Sequence, residues 1–147
     1  MKTRISASLA LAGALLAGAA QAAETDTQNI NEALVIVNSG SLQTQGMAMI
    51  LANAMQEKGT RVEVLLCDKA GDLALNETRN QALKPRDVTP EQLLGKLQQG
   101  GASVNVCALY LPNSEHDKAA LRQGVGVATP PQIADKMIDA NTRVFSF

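Results

Sequence analysis

Apolar positions fall in two alternating patterns along the chain: short continuous runs, and longer segments in which they recur every three or four residues. Ala33-Leu34-Val35-Ile36-Val37 is a continuous aliphatic run, the mark of a strand covered on both faces. From Leu42 to Lys58 the apolar residues Met47, Ile50, Leu51, Ala54 and Met55 stand at helical spacing, and Gly59 follows as a C-cap. Arg61 to Cys67 is a second strand, carrying Val62, Val64, Leu65 and Leu66. Thr89-Pro90-Glu91-Gln92 opens a helix with an N-cap Thr, Pro at the first position and Gln at the capping-box position. Leu93, Leu94 and Leu97 give that helix its buried face, and Gly100-Gly101 ends it. The central run GGASVNVCALYLP, Gly100 to Pro112, reads as a buried strand bounded by Gly and Pro.

Beyond it the pattern predicts a short helix capped by Ser114 and running through Arg122, with Asp117 as the third-position partner. Val125 to Ala128 is a fourth strand. Thr129-Pro130-Pro131 opens a last helix with Ile133, Ala134, Met137 and Ile138 on its core side, and Arg143 to Phe147 closes the chain as a fifth strand. Asp68 to Asp87 is the least regular stretch, with one short helical turn at Leu73-Ala74-Leu75. Because it follows a strand's carboxyl end, it is expected to act as a flap. Five strands separated by helices require right-handed crossovers and a parallel sheet. The fold class is therefore α/β, a three-layer α/β/α sandwich.

The amino terminus stands outside this pattern. Lys2 and Arg4 precede an Ala- and Leu-rich stretch from Ile5 to Ala20, and Ala20-Gln21-Ala22 has the small-x-small form of a cleavage site. This is read as a secretory signal peptide over 1–22, leaving one domain at 23–147 and pointing to the periplasm. No later stretch has the length of a membrane span. Thirteen Lys and Arg against fourteen Asp and Glu give a net charge of −1, and losing Lys2 and Arg4 makes the remainder more acidic. With no basic patch, nucleic acid is not an expected partner.

Export changes how the two cysteines are read, because in an oxidising compartment a pair is most simply a disulfide. Cys107 sits near the end of the central strand, where parallel sheets gather ligands and reactive groups. A buried cysteine that only fills space would sit equally well there. Reactivity needs a lowered thiol pKa, for which the helix expected at Ser114, with His116 and Lys118, is the available source. Cys67 ends the second strand, and there is no C-x-x-C. His116 is the only histidine, so no metal site is expected, and it reads most simply as a surface residue. Asn38-Ser39-Gly40-Ser41 leads into a helix amino terminus but has neither G-x-G-x-x-G nor a Walker lysine. Asp68, Lys69 and Asp72 read as loop charges, and Met47, Met49 and Met55 as helix packing. No hydrolytic constellation stands out. The chain has no tryptophan, and no cofactor is expected.

Three stretches of the chain resemble the DsrE/DsrF/TusD family of sulfur-relay proteins. They are VIVNSGSLQTQGMAMILANAMQEKGTRVEVLL, then GASVNVCALYLPNSEHDKAAL with its G-x-x-V-x-x-C pattern ending on Cys107, and the closing NTRVFSF. The resemblance implies a five-stranded parallel sheet and a homo-oligomer (trimer, dimer or hexamer). It also implies a cysteine, Cys107, that accepts sulfane sulfur as a persulfide and passes it between an unidentified donor and acceptor. Asn38, Ser39, Gly40 and Ser114 would then line the pocket. Cys67 inherits no role from the family. If the family's sheet order holds, its strand neighbours that of Cys107, about 4.8 Å away, and a disulfide wants Cα atoms about 5.5 Å apart. The pair is then a structural staple, or Cys67 resolves sulfur carried by Cys107. A sulfur carrier or transferase is the most the chain would be as an enzyme. The alternative is a non-catalytic oligomeric binding module with an inert cysteine pair.

Overall fold

The structure is a computed structural model that describes residues 31–147; the expected signal peptide at 1–22 lies outside the described residues. Its centre is a fully parallel sheet of β1 (Glu32–Val37), β2 (Arg61–Leu66), β3 (Ser103–Val106), β4 (Val125–Val127) and β5 (Thr142–Ser146), in the spatial order β4-β3-β2-β1-β5. Each strand is short, and side-chain alternation sorts its residues onto the two faces. Ala33, Val35, Val37, Val62, Val64, Leu66, Val104 and Val106 form the floor of the larger core. Two helices cover that floor, α1 (Leu42–Glu57) and α2 (Pro90–Gln99). The opposite face carries Leu34, Leu65 and Ala128, with Ile133 of α3 (Pro130–Ile138) packed against them. Helices on both faces of a five-stranded parallel sheet make the α/β/α sandwich expected from the alternation of elements.

The capping box at Thr89 is formed as read: Thr89 N–H donates to Gln92 Oε1 at 2.9 Å, and Gln92 N–H to Thr89 Oγ1 at 3.3 Å. Three elements differ from the expectation, the slightest being α3, where no residue is fully buried, Ile133 is half-buried, and Ala134, Met137 and Ile138 of the expected core side lie exposed. In α1 the buried positions are Gln45, Gly46, Ala48, Met49, Ala52 and Asn53, while Met47, Ile50 and Leu51 lie exposed. Ala48, Met49 and Ala52 of this side pack into the core above the sheet. Leu83 packs onto Gly46 where a side chain would stand, and Asn53 Nδ2 donates to Leu93 O at 3.0 Å to join α1 to α2.

A further difference follows β3. The strand ends at Val106, and no α-helix runs from Ser114 to Arg122; two 3-10 turns, Leu111–Asn113 and Lys118–Ala120, take its place. Ser114 closes the first turn, donating its hydroxyl to Leu111 O at 3.1 Å. Asp117 caps the second, accepting from Ala119 N–H at 2.8 Å. Local side-chain bonds of this kind compete with helix, and Tyr110, just before the first turn, points back into the core. Without an α-helix at Ser114, the dipole expected to activate Cys107 does not exist.

Candidate functional site

The parallel register brings the two cysteines together. Leu66 of β2 pairs with Val106 of β3, so Cys67 and Cys107 are the next residues on neighbouring strands. Cys107 N–H donates to Leu66 O and Cys67 N–H to Val37 O, each at 2.8 Å, which continues the sheet's bonding one residue past its edge. Their Cα atoms are 5.1 Å apart, and their sulfurs are joined as a disulfide. Both residues are half-buried. Immediately after Cys67, Asp68 adopts φ 49°, a left-handed conformation that Asp tolerates better than most residues. The chain thereby folds back from the sheet edge into a 3-10 turn, Asp68–Ala74.

The disulfide faces an open groove of about 1040 Å³, at the upper end of the usual range for ligand sites. Leu65 and Ala128 of the sheet's second face, with Ile133, Ala134 and Met137 of α3, give it an apolar wall. Asp68, Lys69, Asp72 and Glu115, with His116, give it a polar margin. Ser114 borders the groove. Asn38, Ser39 and Gly40 do not line it: Asn38 N–H bonds Phe147 O at 2.9 Å, and Ser39 O accepts from Gln45 Nε2 at 2.8 Å. The turn still approaches the groove's rear, since a Cβ at Gly40 would lie 3.1 Å from Lys69 Cβ. His116 Nδ1 stands 3.9 Å from Glu77 Oε1. Among the described residues, no three His, Cys, Asp or Glu side chains gather around a metal-sized space.

Two participants were not picked out from the sequence. Tyr110 read as an ordinary strand residue and Asp72 as a loop charge, yet Tyr110 Oη donates to Asp72 Oδ1 at 2.7 Å. Burial, then the bond to Asp72, pushes the Tyr110 phenol far above its ordinary value of 10.0, so it stays a neutral donor. This bond ties the segment after Cys107 to the segment after Cys67. Arg122 reinforces the tie, donating from Nε to Leu73 O at 2.9 Å and from Nη2 to Thr78 O at 3.0 Å. The wall from α3 was a further omission, although every βα turn of a parallel sheet opens at the same carboxyl edge.

A half-buried disulfide at the floor of an apolar-walled groove can exchange with thiols or, once opened, present a thiolate to a sulfur donor. No protein-family model matches the chain, and no curated protein matches its sequence. Solved structures do share the fold. The YchN protein from E. coli superposes with a TM-score of 0.67 at 17% identity, covering 80% of this chain and 99% of that one. A protein of unknown function from Methanobacterium thermoautotrophicum, MTH1491, gives 0.59 at 16% identity over 79% of this chain and 98% of that one. Both are proteins of the DsrE-like fold, and the fold of this chain is DsrE-like. At these identities the likeness shows the fold alone.

Proposed function

We propose that the protein binds or relays sulfane sulfur through Cys107, with Cys67 as its resolving partner. The observation that carries this reading is the placement of Cys67 and Cys107, half-buried, joined and both lining the groove at the sheet's carboxyl edge. A cysteine needed only for packing has no use for a groove above it. The disulfide fits an oxidising compartment, which agrees with the signal-peptide reading of 1–22 and with a mature domain of 23–147 in the periplasm. The exposed Met47, Ile50 and Leu51 on α1 support a homo-oligomer. No helix among the described residues is long and apolar enough to cross a membrane.

The test is intact mass spectrometry of the reduced protein before and after polysulfide. The expected result is a gain of sulfur that reductant removes and that Cys107→Ser abolishes. Undiminished loading in Cys107→Ser refutes the reading. The second reading, a binding module stapled by its disulfide, is favoured by the closed Cys67–Cys107 pair itself. It predicts that the reduced protein takes up no sulfur at all.

A further inference from the structure

We propose that the closed Cys67–Cys107 disulfide is itself a sulfur acceptor that takes sulfur at the sulfide level, as hydrosulfide, and converts it to a protein persulfide. This deepens the relay reading above and rests on it. A thiolate takes sulfane sulfur from a persulfide or polysulfide because it is the nucleophile. A disulfide has no thiolate and is an electrophile, so the sulfur it accepts must itself be nucleophilic and reduced. The oxidised protein and its dithiol form are therefore chargeable by sulfur of two different oxidation levels.

In the loading step, a lone pair of hydrosulfide attacks Cys107 Sγ and forms a new S–S bond. The Cys67–Cys107 bond breaks, and its electron pair leaves on Cys67 as a thiolate. Cys107 keeps the incoming sulfur and its proton as a persulfide. The sulfide is oxidised to sulfane sulfur, the disulfide supplies the oxidising equivalents, and no further oxidant enters.

Three features of the structure suit this step. Cys67 and Cys107 are both half-buried and both line the open groove, the side from which a nucleophile as small as hydrosulfide approaches. Both cysteine backbones are pinned at the sheet edge by their N–H bonds to Leu66 O and Val37 O. The segments beyond them are tied together by Tyr110–Asp72 and by Arg122 to Leu73 and Thr78. Opening the bond thus leaves Cys67 beside Cys107, poised to expel the sulfur again by the reverse attack or to re-form the disulfide after hand-off.

The experiment adds sodium sulfide to the oxidised protein without oxygen, blocks with iodoacetamide and reads intact mass, with the reduced protein and polysulfide as a parallel arm. The expected product carries one extra sulfur and two extra hydrogens before blocking, with two alkylated positions, one of them lost on later reduction. Cys67→Ser, which cannot form the disulfide, is expected to lose loading by sulfide and keep loading by polysulfide. An oxidised protein that stays unchanged in sulfide while its reduced form loads from polysulfide overturns this proposal and leaves the relay reading standing. A disulfide that opens to a dithiol with no sulfur retained at any time also overturns it. Failure in both arms removes the relay reading as well.

Discussion

Gly71→Ala should destabilise the protein by about 2 kcal/mol, although replacing Gly by Ala in a helical turn ordinarily gains up to about 1 kcal/mol. Gly71 is buried in the 3-10 turn that follows Cys67, and the ring of Tyr110 lies against its Cα. A Cβ built there collides with Tyr110 Cδ2 and Cε2 and stands 2.8 Å from Cγ. The ring is 8% exposed, and its hydroxyl is held by Asp72 at 2.7 Å, so it cannot swing aside freely. Overpacking of this kind costs roughly 1–3 kcal/mol. Displacing the ring also forfeits a hydrogen bond contributing about 1 kcal/mol. The assay is urea denaturation of the oxidised protein, with thermal melting expected to fall by about 4 °C per kcal/mol. The clash requires the ring, so in a Tyr110→Ala background the same change should cost nothing or stabilise slightly, a coupling of about 2 kcal/mol in the double-mutant cycle. A Gly71→Ala protein within about 0.5 kcal/mol of wild type, or strictly additive double mutants, would refute the reasoning.

Reducing the Cys67–Cys107 bond, which spans a sequence separation of 40, should lower stability by about 4 kcal/mol through the freed entropy of the unfolded chain; the urea midpoints of the oxidised and reduced forms measure it, and coincident midpoints would show that the bond is no staple. Glu32 accepts from Lys136 Nζ at 2.6 Å and pairs with Arg61, and the Lys136 bond holds its carboxyl below the ordinary 4.5 against the opposing effect of burial. That stabilisation is present above the unfolded-state value and is lost as pH falls through the lower folded-state one. Glu32→Gln should therefore cost at most about 1 kcal/mol at neutral pH and flatten the acid limb of the stability–pH curve, whereas an unchanged acid limb would mean the ion pairs contribute nothing.

The elements and their order were legible because each rests on local chemistry. The aliphatic run at Ala33–Val37, the capping box at Thr89 and the Gly100-Gly101 stop are decided within a few residues, and strand–helix alternation then forces a parallel sheet. The position of Cys107 near a strand end was legible for the same reason, whereas Cys67 became a candidate partner only through the sheet order that the family resemblance implies. What failed was decided between distant segments. Met47, Ile50 and Leu51 look like a buried stripe until Ala48, Met49 and Ala52 take the core-facing side of α1 and Leu83 packs onto Gly46. The stretch from Ser114 to Arg122 looks helical until Tyr110 is drawn into the core by Gly71 and Asp72. The register of β2 against β3 converts two separated cysteines into a bonded pair, and the carboxyl-edge turn into α3 supplies the groove wall above them. Periodicity and capping report how a segment satisfies itself; only packing in three dimensions fixes which face it buries and which distant side chains share a site.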